Sequence, residues 1–476
     1  MTYGFNVHYS YTHLNQAFYS ESAPLTFDNP SYHYFNHTLA RALGLDETLA
    51  TQKGLDFLLD TRGHGLNMPI AMAYSGHQYG NYTVLGDGRA HLLFEHRHNN
   101  DLFDIQLKGS GPTKYSRGFD GRLTLRSALL EYIISEALYH LNVPTSRSLA
   151  VIKTHDHVKR MTREDGALLI RVAKSHIRFG TFEYASNHPD KRLLKELIDY
   201  AIERHDSDLV HANNRYMTWF KRVIKRQAEL IAKWQSIGFV HGVMNTDNAL
   251  ISGETIDYGP CAFIDSYDLT SVYSSIDAMG RYAYGQQPYI GSWNLATLGK
   301  GLLPLFNKDK DKPIERIQAA LSEFGPIFET HYYTLMAQKI GIGQFKKSDI
   351  PLIDALLDIM ARFKEDYTNT FINLTRQHYP KTPFYHSNDF KAWHKKWMDR
   401  LTTEHAPFER MQKHNPFIIP RNHIVKNALD QAAYQDNYDA FNDLLNHIRN
   451  PFNPLIPSSF QRPPSDDEIV TTYCGT

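Results

Sequence analysis

Residues 241–259 read HGVMNTDNALISGETIDYG, and Asn248 and Asp257 within them are of types that could share one hard divalent cation. A cation bridging nucleotide phosphates takes a few oxygen ligands from the protein, and an amide oxygen beside a carboxylate supplies them. The segment between the two can set them side by side, with Ala249-Leu250-Ile251 as a short strand, a turn at Ser252-Gly253, then Thr255-Ile256 leading to Asp257. Lys108 ends the strand DIQL and faces the glycine loop GSGP, where a compact cation can meet phosphate oxygens. Upstream, Gly86-Asp87-Gly88 would let backbone N–H groups approach phosphates. Each feature has a plain structural alternative: an Asx turn, a helix cap, a solvated strand-end lysine, a hairpin turn. Their order along the chain separates the two readings.

Strands and one long helix must position these residues. YTVLGDGRAHLLFEHR predicts a hairpin bending at Gly86-Asp87-Gly88, and DLFDIQLKGSG a strand running into a glycine loop. LTLRSALLEYIISEALYHLNVP is an amphipathic helix with Leu130, Ile133, Ile134, Ala137, Leu138 and Leu141 on one stripe, closed by Pro144. Two acids on it could hold Lys108. Glu131 lies roughly 90° from the centre of the stripe and Glu136 roughly 130°. Glu131 therefore borders the buried face and Glu136 points to water. SLAVIK and ALLIRVAK are further strands, and beyond about residue 190 the chain is mainly helical, with a Pro-rich, extended last stretch. The expected class is α+β: an extension over 1–65, a strand-rich part over 66–185, a helical part over 186–400, and a helical and Pro-rich extension with a tail over 401–476.

Composition narrows the function classes. Lys+Arg and Asp+Glu both total 51, so no global charge draws the chain to nucleic acid or an acidic membrane surface. No apolar run approaches the roughly 18–20 residues that span a bilayer. Two cysteines, Cys261 and Cys474, build neither a disulfide scaffold nor a Cys-rich zinc site, and suit a reducing compartment. The expectation is a soluble, cytoplasmic monomer.

Protein kinases place a histidine, a catalytic aspartate two residues on, an asparagine, and then Asp-aromatic-Gly. His241, Asn248 and Asp257-Tyr258-Gly259 follow that order, but Val243 stands at the aspartate's position. A wider pattern accounts for the difference. YSGHQYGNYTVLGDGRA, LKGSGPTKYSR, FDGRLTLRS, HIRFGTFE, HGVMNTDN, TIDYGP and GRYAYGQQP resemble, in order, the signatures of the selenoprotein O family, the YdiU-like protein adenylyltransferases. The likeness is strong over roughly residues 20–300 and looser beyond.

That resemblance implies a protein-kinase-like two-lobed fold, once classed as a pseudokinase, that transfers AMP from ATP to hydroxyl side chains of proteins. Transfer of UMP from UTP is implied as an alternative. By the same resemblance Gly86, Gly88, Arg89, Lys108, Asp120, Gly121, Arg171, Arg178 and Asp257 would meet the nucleotide, with Glu131 as the ion-pair partner of Lys108. Asn248 and Asp257 would hold Mg²⁺ or Mn²⁺, and Asp247 would accept the proton. ATP would bind inverted, its γ-phosphate gripped by Arg171 and Arg178 and its α-phosphate facing the acceptor, away from the position that Val243 fills. The family also carries Cys or selenocysteine near its C-terminus, where this chain has Cys474. A phosphotransferase and a catalytically silent nucleotide-binding scaffold are the competing classes. Val243 argues against the first, and the intact set Asp247, Asn248 and Asp257 against the second.

Overall fold

The computed structural model describes residues 2–306, 312–468 and 470. Cys474 lies outside them. The first half of the chain builds one antiparallel sheet from ten strands: β1 (Val7–His8), β2 (Tyr19–Glu21), β3 (Ser31–Phe35), β4 (Ile70–Gln78), β5 (Asn81–Gly86), β6 (Ala90–His98), β7 (Asp101–Lys108), β8 (Leu123–Thr124), β9 (Arg147–Lys159) and β10 (Arg163–Ala173). The main order is β2-β4-β6-β7-β10-β9-β3, with β1 on β6, β5 on β4 and β8 on β10. Residues 2–65 are thus woven into the sheet through β1, β2 and β3, and they add the short helices α1 (His37–Ala42) and α2 (Gln52–Leu59).

The expected hairpin around Gly86-Asp87-Gly88 is displaced. β5 pairs back onto β4 around the turn at Tyr79-Gly80, and β6 pairs chiefly with β7. Gly86-Asp87-Gly88 links β5 to β6, two strands with no ladder between them. Residue alternation marks both strands but cannot choose their partners.

One face of the sheet is covered by α3 (Leu125–His140), capped by Thr124, whose Oγ1 accepts from the Ser127 N–H at 3.3 Å. Leu129, Ile133 and Ala137 lie buried on it, and the helix ends at His140, four residues before Pro144. Glu136 does not point to water. It is 1% exposed and accepts from Arg147 Nε at 2.8 Å, because helices Asn422–Gln435 and Asp439–Ile448 cover the outer side of α3. A single amphipathic stripe cannot announce a helix that is packed on both sides.

The helical part runs through α4 (Phe179–Asn187), α5 (Arg192–His205), α6 (Arg215–Ile237) and α7 (Gln287–Leu302), with further helices to Ile448. α6 stops at Gly238, whose left-handed conformation (φ 73°) caps the helix before the strand pair β11 (Phe239–Val240) and β12 (Ala262–Phe263). The segment 249–256 forms isolated bridges, Leu250 to Arg178 and Thr255 to Thr145, in place of the expected short strands. The Pro-rich end folds into turns and short 3-10 helices that bury Ile456 and Phe460, so it is not extended.

Candidate functional site

β7 organises the site. Side chains alternate along a strand, so Asp104, Gln106 and Lys108 share one face. Lys108 is buried, forms a close ion pair with Glu131 of α3, and donates to Asp257 Oδ1 at 2.9 Å. Gln106 stands opposite Arg171 of β10 in the ladder. Its Oε1 accepts from Arg171 Nε at 3.1 Å and Nη2 at 2.6 Å, while its Nε2 donates to Asp87 Oδ2 at 3.1 Å. Asp104 accepts the His176 N–H at 2.7 Å and so fixes the chain two residues before Arg178.

Three cations converge on Asp257. Arg171 Nη1 and Lys108 Nζ reach its Oδ1 at 2.7 and 2.9 Å, and Arg178 Nη1 reaches Oδ2 at 2.8 Å. Burial works to raise the pKa of this carboxyl, but Lys108, Arg171 and Arg178 hold it well below the usual carboxylate range. Its backbone is left-handed, φ 63°, which is uncommon for a non-glycine residue. Arg178 also donates to the Asp247 carbonyl at 2.5 Å, lies over the Tyr74 ring at 4.7 Å, and approaches Asp87 at 3.8 Å. Burial opposes the charge of Arg178, yet Tyr74, Asp257 and Asp87 raise its pKa above the ordinary value. One guanidinium therefore joins the loop holding Asp247 to the carboxylate of Asp257.

That loop is tied from several sides. His241 Nε2 bonds the Ile256 carbonyl at 2.8 Å, fixing the residue before Asp257. Asn248 Nδ2 donates to the Val243 carbonyl at 3.0 Å, so position 243 contributes its backbone to the site and not a carboxylate. From the sheet, the β4–β5 turn reaches down: the Tyr79 N–H donates to Asn245 Oδ1 at 3.1 Å and the His77 N–H to Thr246 Oγ1 at 2.8 Å. Gln78 Nε2 lies 3.4 Å from Asp247 Oδ2, while the buried Oδ1 has no hydrogen-bond partner. Burial pushes the Asp247 carboxyl up to about 6, against the pull of Arg178. Gly76 permits this approach, since a Cβ there would sit 2.2 Å from Asp247 Oδ1.

The remaining candidates lie in the loops above β7. Gly86 (φ 152°) packs under Tyr115, whose ring a Cβ would meet at 2.4 Å. The Gly88 carbonyl accepts from Ser116 Oγ, and the Arg89 carbonyl accepts the Gly109 N–H at 2.7 Å. Asp120 is not brought into the charged cluster: it is exposed and held by Arg160 at 2.7 Å. Gly121 packs against Gly111. Cys261 is buried.

Four polar residues of the site escape a reading of the sequence alone: Asp87, Gln106, Gln78 and Tyr74. Asp87 is 3% exposed, and burial raises its carboxyl, with Arg178 and Arg171 pulling it back. Gln106 has a signal, two residues before Lys108 on a strand. Gln78 and Tyr74 have none, because their partners lie in distant segments.

Among the described residues no group of three or more His, Cys, Asp or Glu side chains is arranged to hold a metal. No helix among them is long and apolar enough to cross a membrane. The profile of the family described as "Protein adenylyltransferase SelO" matches residues 3–449. A Clostridium perfringens protein named "Protein nucleotidyltransferase YdiU" is 45% identical over 481 residues, 99% of this chain and 98% of its own. Proteins of the same name from Geobacillus kaustophilus (45%, all of both chains) and Bacillus cereus (46%, 99% of each) are equally similar.

Proposed function

Because the chain belongs to the SelO family of protein adenylyltransferases, we propose that it moves AMP from ATP, bound with its triphosphate inward, onto Ser, Thr or Tyr hydroxyls of proteins and releases pyrophosphate. The observation that carries this reading is the convergence of Lys108, Arg171 and Arg178 on one carboxylate beside the Asp247 loop. Three nearly buried cations within reach of a single anion form a polyanion site of the kind a triphosphate needs. Arg171 and Arg178 take the γ-phosphate as planar forks and Lys108, braced by Glu131, takes a second phosphate. The frame is protein-kinase-like: the ten-stranded sheet with α3, including β1, β2 and β3, forms the upper lobe, the helical part from α4 onward forms the lower, and helices Asn422–Gln435 and Asp439–Ile448 pack back on α3. Gly86, Gly88, Arg89, Asp120 and Gly121 line the nucleotide from above.

With the α-phosphorus facing the acceptor, Asp247 takes the hydroxyl proton. Burial favours this role, since a carboxylate lifted to about 6 is a better base than an ordinary one and is still mostly ionised at neutral pH. Asn248, oriented through its Nδ2 bond to Val243, and Asp257, whose Oδ2 has one hydrogen-bonded partner, fit Mg²⁺ or Mn²⁺ as hard oxygen donors. When bound, the ion supplies charge neutralisation at the transferring phosphoryl group.

ATP labelled separately at the α- and γ-phosphates tests the reading. Label from the α position should appear on protein; label from γ alone would make the enzyme a kinase. Asp247→Ala should lower turnover by about 10²–10⁴-fold while leaving ATP affinity nearly intact. A joint collapse of affinity and turnover would assign Asp247 to binding instead.

A further inference from the structure

The segment after the candidate metal residues combines firm anchoring with exposed apolar side chains. Its base is fastened: the Tyr284 N–H donates to the Ser271 carbonyl at 3.0 Å, and the Gly285 N–H to the Leu269 carbonyl at 2.8 Å. Inside it, buried Asp277 accepts the Arg281 and Tyr282 N–H groups at 2.9 and 2.8 Å. Yet Leu269, Val272, Ile276, Met279 and Tyr289 are 53, 37, 63, 92 and 65% exposed. Between Leu269 and Tyr289 the only charged residues are Asp277, occupied with backbone N–H groups, and Arg281, stacked on Trp293 at 4.7 Å. A loop held rigid by its own polar groups while it presents apolar ones is built to be covered.

The loop is also continuous with the candidate catalytic segment. Tyr282 OH donates to Asn245 Oδ1 at 2.6 Å, the atom that also accepts the Tyr79 N–H. Tyr79 OH lies 3.2 Å from Ser274 Oγ. The base of the loop is therefore tied to Asn245, two residues before Asp247.

We propose that residues 269–289 form the docking surface for the acceptor polypeptide, and that it selects hydroxyl residues flanked by apolar, uncharged sequence. The inference rests on the transfer reading above and adds the substrate class. A lipid surface would also cover apolar side chains, but it would leave the links to Asn245 without a purpose.

Synthetic peptides carrying one Tyr, Ser or Thr, flanked either by Leu and Val or by Asp and Glu, test this with α-labelled ATP. Wild type should label the apolar-flanked set at least about tenfold faster. Ile276→Asp with Met279→Asp should cut that labelling about tenfold or more, with ATP affinity and melting temperature unchanged. Ile276→Lys with Met279→Lys should turn the preference toward acidic flanks, a gain that misfolding cannot imitate. Equal labelling of both peptide sets by all three proteins overturns the docking surface while leaving transfer intact. Binding of wild type, but not the Asp variant, to phosphatidylcholine vesicles with no change in peptide labelling assigns the loop to a membrane and overturns it too. Wild type that binds ATP yet places no α-label on any peptide or protein overturns the transfer reading, and the inference with it.

Discussion

Asp257 is the residue on which the charges of the site balance, and its removal should be felt in three measurements. Asp257→Ala leaves Lys108, Arg171 and Arg178 facing one another without their shared anion. Breaking a buried ion pair from one side costs about 3–5 kcal/mol, so urea denaturation should show a loss of that order. Transfer should vanish, and ATP affinity should cease to depend on Mg²⁺; an unchanged metal dependence would remove Asp257 from the cation site. If the proposed inverted pose holds, Arg171→Ala and Arg178→Ala should each weaken ATP roughly tenfold or more, and weaken ADP less, because only ATP would bring a γ-phosphate to them. Equal losses for both nucleotides, read by calorimetry, would reject the inverted pose. The pairing of Lys108 with Glu131 and its nearness to Asp257 are legible from residue type, spacing and order. Arg171 and Arg178 are not, since two arginines seven apart describe a pair of surface charges equally well. The family resemblance singles them out; their meeting at Asp257 comes from the ladder of β7 and β10 and from the loop after it, and one-dimensional spacing contains neither.

At the scale of elements, β7 works as a comb whose alternate teeth, Asp104, Gln106 and Lys108, each fix a different part of the site. Gln106→Leu keeps the volume but removes the acceptor from Arg171 and a donor from Asp87. Leaving buried polar groups short of partners costs about 1–3 kcal/mol each. The variant should lose thermal stability and bind ATP more weakly, as Arg171 gains freedom to swing. A melting curve and a nucleotide titration check both. Element types are largely readable from local pattern: β7 and α3 are where the sequence places them, and SLAVIK and ALLIRVAK fall within the longer β9 and β10. Pairing is not readable. Alternation in β5 does not say whether it pairs back to β4 or on to β6, and the buried Glu136 depends on which distant segment packs against it.

Across the whole molecule one core runs from the sheet through α3 into α6 and α7, and the helical part beyond it contains an unusual core residue. Lys339 is 3% exposed, with its ammonium 4.3 Å from the Phe371 ring centroid, and burial pushes its pKa down to about 7. The unfolded chain keeps this proton up to the ordinary value of 10.5, so between about pH 7 and 10 it binds more protons than the folded state does. Stability from this group therefore rises with pH across that window and is lowest below it. Lys339→Met should stabilise the fold by about 1–3 kcal/mol at pH 6–7, and the advantage should shrink toward pH 10. Melting temperatures of both proteins across that range decide it. The packing of the two late helices on α3 has a consequence in time. Every candidate catalytic residue has left the ribosome once Asp257 has, but the outer face of the helix carrying Glu131 stays bare until residues 422–448 follow. A growing chain thus has the chemistry long before it has the brace.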